Sequence, residues 1–306
     1  MAAFTFPVLS NVSLAPYTYI KIGGLAEYLY LADSSLELEK AIKYVLREKF
    51  PFRVLGGGSN ILISDSGLPG LTIINRVSGI SHQNQDPGHL LAAAGTPLNL
   101  LVNYSLEHDL AGLAGFLGIP GTVGGAVFNN CHSRKHLFDE YVSSVNLIDS
   151  HGTSVNRSHD QLGFTYDYSV FQDTHDSILQ VNLKLIPADH AELAKEAQET
   201  LLKRRNTQPL EQPSSGCFFK NLSPFDIARL KMPTASVGYL IDQAGLKGTQ
   251  VGGAKISQKH ANFIVNTGSA TAQDVYSLSQ LIMAKIYKNY SVNLETEVFL
   301  LGEFKE

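Results

Sequence analysis

The residues best suited to bind an anion form one glycine run in segment 52–63. Glycine lets the backbone take positive φ and approach a ligand closely, and successive N–H groups in such a turn form a concave anion site. A serine and an asparagine follow and add side-chain donors. The run is Gly56, Gly57, Gly58, Ser59 and Asn60, with apolar residues on both sides. It predicts a tight turn between two buried strands that binds a diphosphate, with an ordinary glycine-rich hairpin as the alternative.

The spacing of these glycines excludes two common nucleotide sites. It does not follow G-x-G-x-x-G and no helix pattern comes next, so it is not a Rossmann fingerprint. No Gly-Lys-Ser/Thr follows, so it is not a P-loop. A second glycine-rich stretch occupies residues 112–126, where so many glycines are costly in a regular element. Together the two stretches favour a large phosphorylated cofactor that lies against the backbone.

The second half of the sequence supplies groups for acid–base chemistry. Residues 213–221 hold a thiol, Cys217, a cation, Lys220, and an amide, Asn221. The thiol has an ordinary pKa of about 8.5, so it is mostly protonated at neutral pH and is a far better acid than a hydroxyl. Most cysteines outside disulfides are small buried hydrophobes, which is the alternative interpretation of Cys217.

Two further segments near the C-terminus carry polar residues. Segment 294–300 predicts a closing strand in which Glu295 and Glu297 share one face, because side chains alternate along a strand. One interpretation of Glu297 is a partner in a surface ion pair. Segment 252–266 gathers polar residues before an apolar strand, and a lone histidine such as its His260 is more often structural, for example in support of a turn.

Bulk composition indicates an ordinary globular protein with room for two domains. The chain has 306 residues, of which 44% are hydrophobic and 17% charged, and its formal charge is −4, so nothing favours nucleic acid as a partner. Two cysteines are too few for a disulfide framework and indicate a reducing compartment. The sequence shows no signal-peptide pattern, no membrane-spanning apolar run and no spacing typical of a metal site. We therefore expect a cytoplasmic protein without membrane insertion.

Periodicity predicts the elements that position these residues. Apolar spacing predicts a helix over 38–46, capped from residues 33–35, and another after Pro97. A charged helix over 191–205 marks the junction between domains, and Thr271 with Asp274 predicts a near capping box for the last long helix. Strands are expected at 17–24, 29–31, 52–55, 61–63, 71–74, 90–94, 142–148, 154–155 and 179–185.

Six stretches, in this order, resemble the UDP-N-acetylenolpyruvoylglucosamine reductases, the flavoenzymes of peptidoglycan precursor synthesis. They run through nearly the whole chain, and their spacing lacks the extra substrate-capping segment of the longer members. The sequence therefore resembles the shorter type of this family. The matching stretches are residues 21–24, 56–60, 118–126, 216–221, 252–266 and 294–298.

The resemblance implies an α+β fold in which a two-lobed FAD-binding domain of the vanillyl-alcohol-oxidase type precedes a smaller substrate-binding domain. The FAD-binding domain would span residues 1–190, with lobes of about 1–68 and 69–190, and the substrate domain 204–306. By the same resemblance, the glycine run 56–60 would hold the FAD diphosphate. The residues that would line the flavin are Gly118, Ile119, Pro120, Gly121, Thr122, Gly124, Gly125 and Ala126.

The reaction implied by the resemblance is an NADPH-dependent, FAD-mediated reduction of UDP-N-acetylglucosamine enolpyruvate to UDP-N-acetylmuramate, in cell wall biogenesis. Cys217 stands where family members usually carry a serine proton donor, and Glu297 matches the family's catalytic glutamate. We expect a monomer whose partners are small molecules. The substrate-binding residues implied by the motifs are Tyr166, Ser169, Lys220, Asn221, Lys255, His260 and Asn262.

One position departs from the family pattern Tyr-Arg-x-Ser-x-Phe. Asp167 replaces the arginine expected to stabilise the substrate carboxylate and the enolate, which reverses the charge where an anion must sit. The expectation is that Lys220 or Lys255 takes over and that Asp167 points away. Residues 128–131 also differ from the usual Asn-Ala-Gly sequence. Two alternatives stay open: a catalytically weakened homologue that binds flavin and nucleotide, and another flavin oxidoreductase of the same fold.

Overall fold

The computed structural model describes residues 4–82, 86–133, 136–174 and 176–305. Its α-helices are α1 (Ser35–Arg47), α2 (Leu98–Glu107), α3 (Val123–Phe128), α4 (His190–Thr207), α5 (Pro224–Leu230), α6 (Val237–Gln243) and α7 (Ala272–Tyr290). Its strands are β1 (Leu9–Ser13), β2 (Leu25–Ala32), β3 (Phe52–Leu55), β4 (Ile61–Ile63), β5 (Leu68–Asn75), β6 (Ile80–His82), β7 (His89–Ala93), β8 (Leu110–Ala111), β9 (His132–Ser133), β10 (His136–Leu137), β11 (Val142–Ile148), β12 (Ser154–Ser158), β13 (Ser177–Lys184), β14 (Ile186–Pro187), β15 (Ser214–Cys217), β16 (Gln250–Val251), β17 (Ala254–Ile256), β18 (Phe263–Asn266) and β19 (Phe299–Leu301).

The chain forms two compact units that interleave in sequence. The first unit comprises the segment ending at Val12, Glu27–Gly57 and Pro69–Lys203. The second unit comprises Ser13–Ala26, Gly58–Leu68 and the chain from Arg204 onward. The glycine run therefore changes unit between Gly57 and Gly58. No helix in the described segments has the length and apolarity needed to cross a bilayer.

Among the described residues, the two largest sheets of the first unit each have their own core. A four-stranded sheet of order β1-β2-β5-β3 packs with α1, whose apolar positions Leu38, Ala41, Ile42 and Val45 are buried. The Ser34 side chain caps α1, as the sequence predicts. A five-stranded antiparallel sheet of order β12-β11-β13-β7-β6 packs its apolar residues with those of α2 and α3.

The second unit is built on a four-stranded antiparallel sheet of order β15-β18-β17-β16 and the long helix α7. Thr271 and Asp274 form the full capping box of α7, which confirms the predicted N-terminus. The apolar positions of α7 are likewise buried in the core of this unit: Val275, Leu278, Ile282 and Ile286. Within the same unit, β4 pairs in parallel with β19.

Two strand predictions are wrong, for local reasons. Residues 17–24 are not a strand: a 3₁₀ turn ends at Tyr17, and the Thr18 hydroxyl bonds the backbone of Ile22 at 2.9 Å, so the chain folds back on itself. Of segment 294–300 only the last two residues lie in a strand, β19, and an isolated bridge joins Thr296 to Phe219. The inference that Glu295 and Glu297 share a strand face therefore fails.

The strands on either side of the glycine run exist, but they do not form a hairpin. β3 pairs in parallel with β5, and β4 pairs in parallel with β19. Parallel partners require longer connections than a hairpin, so the glycines link two different sheets. The sequence also failed to predict helix α3, because glycines at Gly124 and Gly125 in its first turn concealed its pattern.

Candidate active site

In the first unit, the two glycine-rich stretches touch each other directly. A Cβ atom placed on Gly57 would lie 2.9 Å from the Cα of Gly121, and one on Gly56 would collide with the Thr122 hydroxyl. Only glycine permits this approach, which explains the glycines without any ligand. The sequence predicted two loops near one cofactor, and the structure places these parts of them side by side.

Backbone hydrogen bonds fix the second stretch against α2 and the end of β7. The amide of Leu98 donates to the Gly121 carbonyl at 3.0 Å, and the amide of Gly124 donates to the Ala94 carbonyl at 2.8 Å. The Asn99 side chain accepts from the Gly118 amide at 2.6 Å and donates to the carbonyl at residue 119 at 3.1 Å. No sequence pattern singles out Asn99, since one asparagine inside a helix has no distinctive spacing.

The glycine run has backbone N–H groups for which the described residues offer no backbone acceptor. Across the described segments, no backbone carbonyl accepts a hydrogen bond from the amides of Gly57, Gly58, Ser59 or Asn60. Gly58 takes a left-handed conformation with φ of 63°, which agrees with the predicted turn. Four successive N–H groups are thus available to an anion or to solvent.

Asp167 sits in a tight turn between Tyr166 and Tyr168. Thr165 and Tyr168 exchange backbone hydrogen bonds of 3.1 and 3.2 Å, and Asp167 takes φ of 53°, a conformation that aspartate tolerates better than most residues. Its side chain is only 5% exposed and lies 2.9 Å, oxygen to nitrogen, from Nδ1 of His132. The partner of Asp167 is therefore a histidine that the sequence analysis did not single out.

Three side chains tie this turn to the end of α3 and the loop that follows it. Asn130 is fully buried and donates to the Thr165 carbonyl at 2.9 Å. Ser169 is also fully buried, and its hydroxyl donates to the Phe128 carbonyl at 2.7 Å. Gln172 donates to the carbonyls of Phe128 and Asp167 at 3.1 and 2.9 Å. The serine predicted to bind substrate thus anchors the turn.

In the second unit, Cys217 ends the edge strand β15 and is half-buried. A register shift precedes it in its pairing with β18, and Gly216 takes φ of 82°. The next carbonyl, that of Phe218, accepts from the amide of Glu297 at 2.9 Å, and the Asn60 side chain donates to the Glu297 carbonyl at 3.1 Å. These bonds bring three predicted site residues to neighbouring backbone positions.

Asn262 holds the segment after the thiol. It is only 4% exposed, and its amide accepts from the Phe219 N–H at 3.0 Å and donates to the Phe219 carbonyl at 2.7 Å. Both ends of the amide are thereby bonded to one residue of the backbone. The side chain predicted to contact substrate has its main contacts inside the second unit.

His260 has the environment of a neutral, structural histidine. Burial and then the positive charge of Lys247 hold its pKa below 6.5. Its Nδ1 accepts from the backbone amide of Asn262 at 3.3 Å, and a Cβ on Gly238 would lie 3.0 Å from its ring. Of the two roles left open by the sequence, this geometry favours support of the turn.

The remaining predicted substrate residues of this unit lie nearer the solvent. The Lys220 ammonium is 3.8 Å from the carboxylate of Glu295, which is 78% exposed. Asn221 is exposed, and Lys255 is half-buried in β17. Tyr166, in the first unit, is 41% exposed and places its ring 4.9 Å from that of His132.

Comparisons with known proteins agree with this arrangement. A family described as an FAD binding domain matches residues 26–158. The C-terminal domain of UDP-N-acetylenolpyruvoylglucosamine reductase matches residues 208–301.

Single relatives match almost the whole chain. The UDP-N-acetylenolpyruvoylglucosamine reductase of Synechococcus sp. strain JA-3-3Ab is 36% identical over 98% of this chain and 93% of its own length. The protein of that name from Nostoc punctiforme is 37% identical over 97% of this chain and 87% of its own. The crystal structure of the Thermus caldophilus reductase superposes with a TM-score of 0.77 at 35% identity, covering 95% of this chain and 98% of that one. The predicted α+β class, with an FAD-binding domain before a family-specific C-terminal domain, is therefore confirmed, and this chain belongs to the UDP-N-acetylenolpyruvoylglucosamine reductase family.

Proposed function

We propose that this chain is an FAD-dependent oxidoreductase that uses NADPH to reduce UDP-N-acetylglucosamine enolpyruvate to UDP-N-acetylmuramate. Family membership over nearly the whole chain supports the reaction. The observation that supports the mechanism lies in the second unit: the Glu297 amide bonds the carbonyl of Phe218, the residue after Cys217, and the Asn60 side chain bonds the Glu297 carbonyl.

The residues of the first glycine run fit the diphosphate of FAD. Residues 57–60 offer four successive amide N–H groups, and among the described residues no backbone carbonyl accepts a hydrogen bond from them. Such a row of donors suits an anion such as a diphosphate. Bound FAD, once reduced by NADPH, would supply the hydride that reduces the enolpyruvyl double bond. The stretch 118–126 supplies a backbone wall held rigid by α2 and β7, against which we place the flavin.

The chain's own residues supply the proton and hold the charge. Hydride addition to the terminal vinyl carbon leaves negative charge on the neighbouring carbon and its carboxylate. We assign proton donation to the Cys217 thiol: the S–H bond breaks, the electron pair stays on sulfur, and a C–H bond forms at that carbon. Glu297, which is fixed through its backbone beside Phe218, orients the intermediate or the donor.

We assign the substrate diphosphate and sugar to Lys220, Asn221 and Lys255, whose side chains are exposed or half-buried. Asn262 and His260 act as positioning residues in this proposal, because their polar groups bond the backbone around the thiol and the turn before β18. This division separates residues that touch ligand from residues that shape the site.

Two substitutions at Cys217 test the assignment. Cys217→Ala leaves the reduction of bound FAD by NADPH intact and stops reoxidation by the enolpyruvate, measured by stopped-flow absorbance of the flavin. Cys217→Ser provides the matched control, because a hydroxyl can donate the proton that a methyl group cannot, and it retains turnover. If Cys217→Ala reoxidises at the wild-type rate, the thiol is not the acid.

A second candidate is a catalytically weakened homologue, favoured by the carboxylate at Asp167. It predicts a wild-type protein that is yellow and is reduced by NADPH, yet shows no NADPH oxidation dependent on the enolpyruvate. Turnover of the wild-type protein with both substrates excludes it.

A further inference from the structure

The strand that ends at the proposed proton donor lies at the edge of its sheet. β15 is the outermost strand in the order β15-β18-β17-β16, and its pairing partner there is β18. Ser214 pairs with Val265 and Cys217 with Phe263, so two residues of β15 lie opposite one residue of β18. A bulge of this kind breaks the alternation of side chains along a strand and redirects them. The position of the thiol therefore depends on contacts beyond the regular strand pairing.

One of the two bulge residues, Ser215, bonds a different segment of the second unit. Its side chain is buried, at 3% exposure, and its hydroxyl donates to the carbonyl of Ile61 at 2.9 Å. Ile61 is the first residue of β4 and directly follows Asn60, the last residue of the glycine run. The other bulge residue, Gly216, has no side chain that could make such a bond. The Ser215 hydroxyl thus joins the strand of the thiol to the residues that follow the proposed diphosphate site.

The segment of Glu297 is bonded to the same place. The Asn60 side chain donates to the Glu297 carbonyl at 3.1 Å, and the amide of Phe299 donates to the Asn60 carbonyl at 3.0 Å. Residues 60 and 61 are therefore a common anchor for the segments of Cys217 and Glu297, and all of these residues belong to the second unit. Loss of one anchoring bond is expected to displace one segment relative to the other.

On the basis of the proposed function, we propose that Ser215 is a positioning residue for proton transfer from Cys217. Its hydroxyl fixes the strand of the thiol against β4, and it does not touch the substrate. In the step that it supports, the S–H bond breaks, the electron pair stays on sulfur, and a C–H bond forms at the carbon that bears the carboxylate. This transfer requires an aligned donor, and a displacement of about 1 Å costs about a hundredfold in rate.

The test compares Ser215→Ala with the wild-type FAD-loaded protein, following each half-reaction by stopped-flow absorbance of the flavin. Alanine removes the hydroxyl and adds no volume, so overpacking is avoided. Reduction of the flavin by NADPH keeps its wild-type rate. Reoxidation by the enolpyruvate slows by about tenfold to a hundredfold, and its solvent deuterium isotope effect increases because proton transfer takes a larger share of the barrier. Ser215→Thr restores part of the rate, because it keeps the hydroxyl but adds a methyl group to a buried site.

Ser279→Ala is the matched control for loss of a buried serine hydroxyl. Ser279 is 1% exposed and lies in the same unit, and its hydroxyl donates to the Tyr276 carbonyl at 2.7 Å, inside α7. The control loses a bond of the same kind that does not involve the anchor. Both of its half-reactions and its isotope effect therefore keep their wild-type values.

A readout independent of turnover is the affinity of the apoprotein for FAD, from quenching of flavin fluorescence. The amide of Tyr19 donates to the Gly58 carbonyl at 3.0 Å, and the amide of Phe299 still bonds Asn60. These bonds do not involve Ser215, so Ser215→Ala binds FAD with wild-type affinity. A general structural role of the hydroxyl would lower that affinity together with the rates of both half-reactions.

The proposal is overturned if Ser215→Ala is reoxidised at the wild-type rate, or more slowly with an unchanged isotope effect. Equal slowing of both half-reactions, a loss of FAD affinity, or failure of Ser215→Ala to fold assigns the hydroxyl to structure and overturns it as well. So does slowing of the same size in Ser279→Ala. In these cases reoxidation of the wild-type protein by the enolpyruvate leaves the proposed function standing, whereas a wild-type protein that is not reoxidised overturns both.

Discussion

Replacing Gly57 by alanine tests whether the close approach of the two glycine stretches matters for cofactor binding. The added Cβ would lie 2.9 Å from Gly121 Cα and 3.2 Å from Gly121 carbonyl carbon. Both atoms belong to the backbone, so no side-chain rotation relieves the contact. Ordinary carbon–carbon contacts begin at about 3.5 Å, so the two loops must separate by at least about 0.6 Å.

The cost of this separation follows from known overpacking effects. Forcing a methyl group into a packed site costs about 1–3 kcal/mol. Removing a glycine from the unfolded chain returns about 0.4–1 kcal/mol, which leaves a net loss of about 1.3 kcal/mol at the middle of both ranges. For a domain of this size the melting temperature then falls by about 3–5 °C. Because the shift moves the donors of residues 57–60, FAD affinity falls as well.

Two quantities are measured for the wild-type and variant proteins. One is the melting temperature of the apoprotein, and the other is the affinity for FAD, from quenching of flavin fluorescence on titration. Gly125→Ala is the control for stability: its Cβ meets its nearest atom, the Thr122 hydroxyl, at an ordinary 3.5 Å, and alanine favours a helix over glycine by about 1 kcal/mol. The apoprotein of the control therefore melts at or above the wild-type temperature. A Gly57→Ala protein with wild-type melting and wild-type FAD affinity would refute the reasoning.

Two other substitutions address the second unit. Asn262→Ala leaves the N–H and C=O of buried Phe219 without their partner, at about 1–3 kcal/mol for each group, so urea denaturation should show a loss of about 2–6 kcal/mol; an unchanged midpoint contradicts this. The backbone N–H of Thr271, followed by that of Gly253, holds the pKa of Asp274 below its ordinary 3.8, against the rise from burial. Because the pKa of Asp274 is lower in the folded state, its ionised carboxylate stabilises the protein above the ordinary pKa of 3.8, and this stabilisation is lost as the pH falls below 3.8. Asp274→Asn should therefore reduce stability at neutral pH and flatten the acid limb of the stability–pH curve. An identical acid limb in urea unfolding between about pH 6 and pH 3 would rule out this linkage.

Regular elements were predictable because their apolar periodicity follows from one buried face. Helix α1 and the inner face of α7 have that periodicity, together with cap residues whose hydrogen bonds the structure contains. Residues 17–24 have the apolar content of a strand, but the Thr18 hydroxyl satisfies the backbone locally. A side chain that competes for backbone bonds is invisible to a periodicity argument.

The partners of the glycine run could not be predicted for a different reason. Parallel pairing joins segments that are distant in sequence, such as β4 with β19, and no local pattern reports it. The glycines themselves were predictable as sites of close backbone approach. What they approach in the first unit, Gly121 and Thr122, depends on the tertiary fold.

The proposed catalytic residues lie where regular strand pairing is interrupted, and specific hydrogen bonds hold the backbone there. Cys217 follows the register shift of β15, and Glu297 lies just before β19, held by the Phe218 carbonyl. Asp167 occupies a left-handed turn position. A strand would aim successive side chains at opposite faces, whereas irregular backbone fixed by specific hydrogen bonds can direct each group separately. Sequence patterns therefore identify the residue types in each unit, whereas no pattern singles out the supporting side chains, Asn130 in the first unit and Asn262 in the second, that bond the nearby backbone.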